Sequence, residues 1–125
     1  MPNLPEAASQ AWGQKEKLVI FTTADPAGNP NSIYVVFTKK FTEDKIVIAD
    51  NYFSKTRANI RSGSRGAVLY ITPEKKAFQI KGRIEYVTDG EIFDDMKRWN
   101  NPAYPGVGAA VLHVEEVYCG AERLL

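Results

Sequence analysis

Ser54, Lys55 and Thr56 set a hydroxyl, an ammonium and a second hydroxyl side by side, immediately after Asn51-Tyr52-Phe53. A flexible cation flanked by small donors suits an oxyanion, and a phosphate most of all. The neighbouring elements strengthen that reading. Ile46 to Ala49 are apolar and mostly β-branched, which predicts a buried strand, and Ser54 is a good cap for a short helix ending near Gly63. At such a strand-turn-helix junction the first backbone N–H groups of the helix have no intrahelical partner and can serve an anion. A plain alternative stands beside it: a capped surface helix that happens to carry Lys55, Arg57 and Arg61. These residues alone leave both open.

The remaining composition narrows the chemistry. At 125 residues the chain is expected to form one domain, residues 1–125, with a real core. Sixteen basic and fifteen acidic residues give a net charge of +1, so no general attraction for nucleic acid or an anionic membrane is expected. Cys119 is the single cysteine, which excludes an intramolecular disulfide and fits a reducing compartment. No leader pattern opens the sequence and no run approaches the length of a membrane span, so the expected location is the cytoplasm. One His and one Cys offer no metal cluster, and His113, inside the apolar run Ala110 to Val114, reads as an outward-facing strand residue rather than a catalytic base. An enzyme built from these residues would rely on a cofactor.

Read in order, the chain predicts a helix opened by Leu4-Pro5-Glu6 and running to Gln14, with Leu4, Ala8, Ala11 and Trp12 on one face. Strands follow at Leu18 to Thr23 and Ser32 to Thr38, separated by the turn formers Asp25-Pro26-Ala27-Gly28-Asn29-Pro30. Lys39-Lys40 and Thr42-Glu43-Asp44 read as a polar turn before the Lys45 strand. After the short helix come a strand from Gly66 to Thr72 and a strictly alternating one from Phe78 to Tyr86, interrupted by Gly82, which marks a bend, a bulge or a close approach. Asp89 is placed to cap a helix carrying Ile92, Phe93, Met96 and Trp99, and Ala109 to Tyr118 reads as the last long strand. Six strands and three helices with hairpin-length turns predict a mainly β fold, an antiparallel sheet closing into a small barrel with flanking helices.

Taken together, Asp25-x-x-Gly28-x-Pro30, a strand, a turn, a second strand, Asn51-Tyr52-x-Ser54-Lys55-Thr56 and Lys81-Gly82 resemble the FMN-binding split-barrel superfamily over nearly the whole chain. This superfamily includes the pyridoxamine 5′-phosphate oxidases and the small FMN-binding proteins. The resemblance implies a six-stranded antiparallel split barrel of the FMN-binding type, with FMN as cofactor. It implies that Ser54, Lys55 and Thr56 hold the FMN phosphate, and that the flavin runs along Ile33, Tyr34 and Val35 and along Ala49, Asp50 and Asn51, largely on backbone groups, with Asp50 contributing mainly its backbone. It further implies a homodimer with FMN at the subunit interface, where Gln79 or Lys81 reaches the flavin of the partner subunit and tunes its potential. Trp99, Tyr104 and the Leu124-Leu125 end are candidates to cover the ring from the other chain. Two departures argue against pyridoxamine phosphate oxidation itself: Ile33 and Thr38 stand where the oxidases carry a basic residue and a lysine, and the basic tail is missing after Leu125.

The expected activity is therefore an oxidoreductase or electron-transfer flavoprotein with an unknown small-molecule or protein redox partner. The same fold holding the deazaflavin F420 or haem is an alternative, although His113 is the lone histidine available to a haem. A non-catalytic barrel binding single-stranded nucleic acid through Tyr34, Tyr52, Phe53 and basic residues is another, weakened by the near-neutral charge. The phosphate assignment predicts that the double variant Lys55→Ala, Thr56→Ala loses FMN while keeping fold and dimer. Fluorescence titration checks it, and unchanged affinity would sink the assignment.

Overall fold

In the computed structural model, which describes residues 2–125, the alternating and apolar runs become nine strands. In chain order the elements are α1 (Glu6–Gln14), β1 (Val19–Ala24), β2 (Pro30–Val35), β3 (Thr38–Thr42), β4 (Lys45–Asp50), α2 (Lys55–Arg61), β5 (Arg65–Ile71), β6 (Ala77–Val87), α3 (Gly90–Trp99), β7 (Gly108–His113), β8 (Glu116–Cys119) and β9 (Glu122–Arg123). The strands pair antiparallel in the order β2-β1-β5-β6-β7-β4-β3, with β8 joined to β6 and β9 to β8. The expected antiparallel split barrel with three helices is met, with three more strands than the sequence suggested.

Each added strand has a local cause. The run from Ser32 to Thr38 breaks at Val36-Phe37, where Thr38 N–H donates to the Val36 carbonyl at 3.1 Å and the Phe37 carbonyl accepts from Ala49 N–H at 3.0 Å. Lys39 and Lys40 then belong to β3 rather than to a turn. Their charges are accommodated at this sheet edge, Lys39 by Asp95 at 2.9 Å and Lys40 by Glu43 at 2.6 Å. The last long strand divides at Val114-Glu115, and the short β9 closes the C-terminal end.

That division follows from β6. This eleven-residue strand pairs with β5 from Ala77 to Arg83, while its other edge serves β8 from Phe78 to Lys81 and β7 from Ile84 to Val87. The change of partner falls at Gly82. A Cβ there would overlap the carbonyl oxygen of His113, the last residue of β7, so the expected close approach is a backbone-to-backbone one. Glu115 N–H donates to the Lys81 carbonyl at 3.0 Å and restarts the ladder with β8.

Inside the curled sheet lie Phe21, Ile46, Ile48, Val68, Tyr70, Phe78, Ile80, Leu112 and Val117. Helix α1 closes one end through Leu4, Ala8, Ala11 and Trp12, the face its spacing predicts. Trp12 meets Tyr70 edge-on at 5.1 Å, and the Tyr70 hydroxyl donates to the Ala8 carbonyl at 2.8 Å. Helix α3 packs on the outside over Val47, Ala49, Ala109 and Val111 through Met96 and the half-buried Ile92, Phe93 and Trp99. Ser54 and Asp89 stand at the N-cap positions of α2 and α3, but neither side chain makes a capping hydrogen bond. Among the described residues no helix is long and apolar enough to cross a membrane.

The contact at Gly82 makes a clean prediction. Gly82→Ala forces a methyl group against a backbone oxygen that cannot rotate away, and is expected to cost about 3 kcal/mol or more. A urea denaturation midpoint checks this; a loss below about 1 kcal/mol would mean that the partner switch tolerates relaxation.

Candidate functional site

Strand β2 is where the sheet offers unspent hydrogen-bonding capacity. It pairs with β1 alone, so on its outer edge every other N–H and C=O points away from the sheet. Along it runs a cavity of about 410 Å3, lined by Ile33, Tyr34, Val35, Val36 and Phe37 on one side and by Ala49, Asn51, Tyr52, Phe53 and Tyr104 on the other. None of these ten residues is charged. A volume at the lower end of small-molecule sites and an aromatic lining suit one planar ring system.

The far wall is built by two loops fastened to β4. Asn51 and Asn100 exchange amide hydrogen bonds at 2.8 and 3.1 Å, and Gly106 N–H donates to Asn51 Oδ1 at 3.0 Å. Val107 N–H donates to the Asp50 carbonyl at 2.9 Å. These bonds bring Tyr104 over the cavity, edge-on to Phe37 at 5.3 Å and to Tyr52 at 5.8 Å. Tyr34 and Tyr52 remain 71% and 73% exposed, far more than folded tyrosines need be, and present ring faces to whatever enters.

Asp50 does more than the sequence suggested. Its carboxylate, not only its backbone, is committed: it is fully buried, Oδ1 accepts from Phe53 N–H at 3.0 Å and Arg57 Nη2 at 2.9 Å, and Oδ2 accepts from Arg57 Nε at 2.7 Å and the Tyr86 hydroxyl at 2.5 Å. The Asp50 hydrogen bond pushes the Arg57 guanidinium even further above its usual range. Burial, helped by the neighbouring carboxylate, raises the Tyr86 phenol above its usual 10.0. Arg57 and Tyr86 were not expected in this role; Tyr86 is 36 residues from Asp50 in the chain, and nothing local announces the pairing.

The structure distributes the remaining expected residues over three places. Ile33, Tyr34, Val35, Ala49 and Asn51 meet at the aromatic cavity. Lys55 lies in a second cavity of about 230 Å3 with Asp25, Asn29, Pro30, Asn31, Ala58 and Asn59, while Ser54 sits exposed beside it at the start of α2. Thr56 is buried, and its Oγ1 accepts from Asn31 Nδ2 at 3.1 Å, so Lys55→Ala alone tests the anion site without disturbing that bond. Asp25 introduces a negative charge opposite Lys55: the Asn29 side-chain amide, aided by backbone N–H groups, holds its carboxyl below the usual range.

Gln79 and Lys81 lie elsewhere. They belong to the outward face of the sheet, where register aligns Tyr34, Ile20, Leu69, Gln79 and Tyr118 in one row and Ser32, Thr22, Ala67, Lys81 and Glu116 in the next. Three strand spacings, roughly 14 Å, separate them from β2, too far to reach the cavity of their own chain. Tyr104 lines that cavity in its own chain, Trp99 at the end of α3 packs onto the outer face of the sheet, and Leu124 and Leu125 pack on the barrel core. His113 shares the outer face of β7 with Ala109 and Val111, as the sequence suggested, but is only 4% exposed there, with Nε2 3.1 Å from Glu85 Oε1. It is buried there because β7 is covered on both faces.

Comparison with known proteins places this geometry. The family model described as pyridoxamine 5′-phosphate oxidase matches residues 5–118. The chain belongs to this family. An uncharacterised protein of Methanocaldococcus jannaschii is 28% identical over 109 residues, covering 83% of this chain and 73% of its own. Among solved structures, an FMN-binding protein of Syntrophomonas wolfei superposes with a TM-score of 0.79 at 19% identity, covering 90% of this chain and 83% of its own. An F420 reductase superposes at 0.70 and 15% identity, covering 92% and 98%. At these identities the superpositions establish the pyridoxamine 5′-phosphate oxidase-like fold.

The raised phenol has a pH signature. Tyr86 and the buried Tyr70, whose ionisation is also pushed up by burial, stay neutral in the fold where the unfolded chain would ionise. Their stabilisation is complete below the unfolded value of about 10 and is lost as pH rises towards the folded ones. Thermal unfolding is therefore expected to be flat on this account up to about pH 10 and to fall above it, less steeply in Tyr86→Phe. An identical alkaline slope in that variant would refute the burial argument for Tyr86.

Proposed function

We propose that this protein is an FMN-binding flavoprotein acting as an oxidoreductase or electron carrier, with one flavin domain per chain and two chains per functional unit. The observation that carries this reading is the uncharged aromatic cavity along the unpaired edge of β2, walled by the same two segments that the family resemblance assigns to the flavin. The isoalloxazine would lie between Ile33 to Val35 and Ala49 to Asn51, hydrogen-bonded to the free β2 edge, and the ribityl phosphate would extend towards Lys55 and Ser54.

The flavin supplies hydride or electron transfer. The chain's own residues bind it, exclude water with Tyr34, Tyr52 and Tyr104, and leave the charge near the ring to a partner subunit. That last role fits Gln79 and Lys81 on the outward face, in a sheet whose outer row also carries Leu69 and Tyr34, 39% and 71% exposed. A second copy docked there covers the exposed apolar side chains and carries a cation and an amide towards its neighbour's flavin. Pyridoxamine phosphate oxidation is not proposed, because Ile33 and Thr38 offer no charge to a substrate phosphate. A cytoplasmic setting fits the lone cysteine.

A deazaflavin is the second reading, favoured by two observations: the cavity's apolar lining asks only for a planar ring, and the anion site holds one carboxylate against one ammonium. Haem is supported less, because His113 is buried and turned towards Glu85. The deciding experiment is the absorption spectrum of the freshly purified protein before and after incubation with FMN and removal of the excess, together with sedimentation of both samples. Retained bands near ~450 nm at one flavin per chain, on a species of twice the chain mass, are expected for a flavin-carrying dimer. A colourless protein that takes up F420 but not FMN would transfer the proposal to the deazaflavin.

A further inference from the structure

We propose that Asp50, through Arg57 and Tyr86, is the positioning residue that sets the shape of the aromatic cavity and with it the affinity for a planar ring. The proposal deepens the flavin reading and rests on it for the identity of the ring. Both movable walls of the cavity hang from this one residue. The turn carrying Tyr52 and Phe53 is closed by the Phe53 N–H bond to Asp50 Oδ1, and the segment carrying Tyr104 is tied down by Val107 N–H on the Asp50 carbonyl, next to the bonds of Gly106 and Asn100 to Asn51.

The carboxylate can serve the turn only while it is itself held. Arg57 grips it from α2 with two hydrogen bonds, and Tyr86 reaches it from β6 with a third. Tyr86 also abuts the second wall directly: a Cβ at Gly108 would overlap the Tyr86 hydroxyl, so the chain leaves the loop at a position only glycine allows. Helix, barrel strand and the turn of Tyr52 and Phe53 are thereby referred to one buried charge, and the second wall to the same residue's carbonyl and to Tyr86 packed against Gly108. A buried ion pair is seldom the most stabilising filling for its volume, and apolar replacements often serve stability as well or better. What four directed hydrogen bonds do supply is a fixed geometry, and here the groups fixed are the carriers of the exposed rings of Tyr52 and Tyr104.

The test uses the full-length protein and two variants that preserve bulk, Arg57→Lys and Tyr86→Phe, with two readouts. Amide hydrogen exchange is followed at Phe53, Gly106 and Val107 against the core amides of Phe21 and Val68. Dissociation constants are measured for FMN and for riboflavin, which shares the ring and lacks the phosphate. Expected are exchange at the three wall amides faster by about tenfold with the core amides unchanged, and affinities for FMN and riboflavin weakened together by a similar factor, the size of one lost hydrogen bond to a charged group. A uniform loss of protection across the barrel, or unchanged flavin affinity despite loosened walls, overturns the proposal. A drop confined to FMN overturns it too, because it locates the effect at the phosphate rather than at the ring. If the unaltered protein binds neither flavin, the flavin reading fails, and the localised exchange alone supports or overturns the positioning of the walls by Asp50.

Discussion

A carboxylate with no access to water has to be answered by donors within the fold, and the answer given to Asp50 shapes the functional end of this molecule. Its four hydrogen bonds come from its own turn, from α2 and from the middle of the barrel, so the position of α2 cannot vary independently of β4 or β6. Removing one partner would leave the other charge stranded, at a cost of roughly 3–5 kcal/mol. On its opposite side α2 is held by neutral bonds, Asn59 to Thr23 at 3.0 Å and Asn31 to Thr56 at 3.1 Å. The helix is seven residues long, too short to be stable by itself, and these tertiary anchors are what keep it helical.

A second constraint acts at Gly82, where β6 exchanges β8 for β7. One long strand serving two sheets is the corner about which the barrel opens, and it separates the molecule into two working faces. On the β2 side the sheet ends in a free edge beside an aromatic cavity; on the outward face of β5 and β6 it shows an apolar row flanked by Gln79 and Lys81. Roughly three strand spacings lie between these faces. A single barrel presents the aromatic cavity and Lys81 in places that it cannot itself bring together.

The charge distribution agrees with a cofactor that carries the reaction. The cavity beside β2 contains hydroxyls and one amide as its only polar side chains. The charged groups are held apart from it, either paired in the interior as Asp50 and Arg57 or placed at the neighbouring site as Lys55 and Asp25. An acid or base poised for substrate chemistry is not part of the lining. Family membership and the fold shared with an FMN-binding protein fit that arrangement, and positions 33 and 38 carry Ile and Thr rather than cations.

The sequence by itself determined what depends on near neighbours. The apolar spacing of α1 and α3, the alternation of β6, the turn chemistry after β1, the order of motifs that revealed the family and the significance of Gly82 were all legible, because periodicity and backbone freedom are local properties. It did not determine the breaks at Val36-Phe37 and Val114-Glu115, since a strand ends there when its partner changes, and partners are distant in sequence. It gave the face of His113 but not its burial, since its neighbours alone did not show that both faces of β7 are covered. Above all, the sequence assigned Asp50 mainly a backbone role, and only folding brought Tyr86 and Arg57 to its two carboxylate oxygens. A buried charge is defined by what surrounds it, and only the tertiary structure assembles those surroundings.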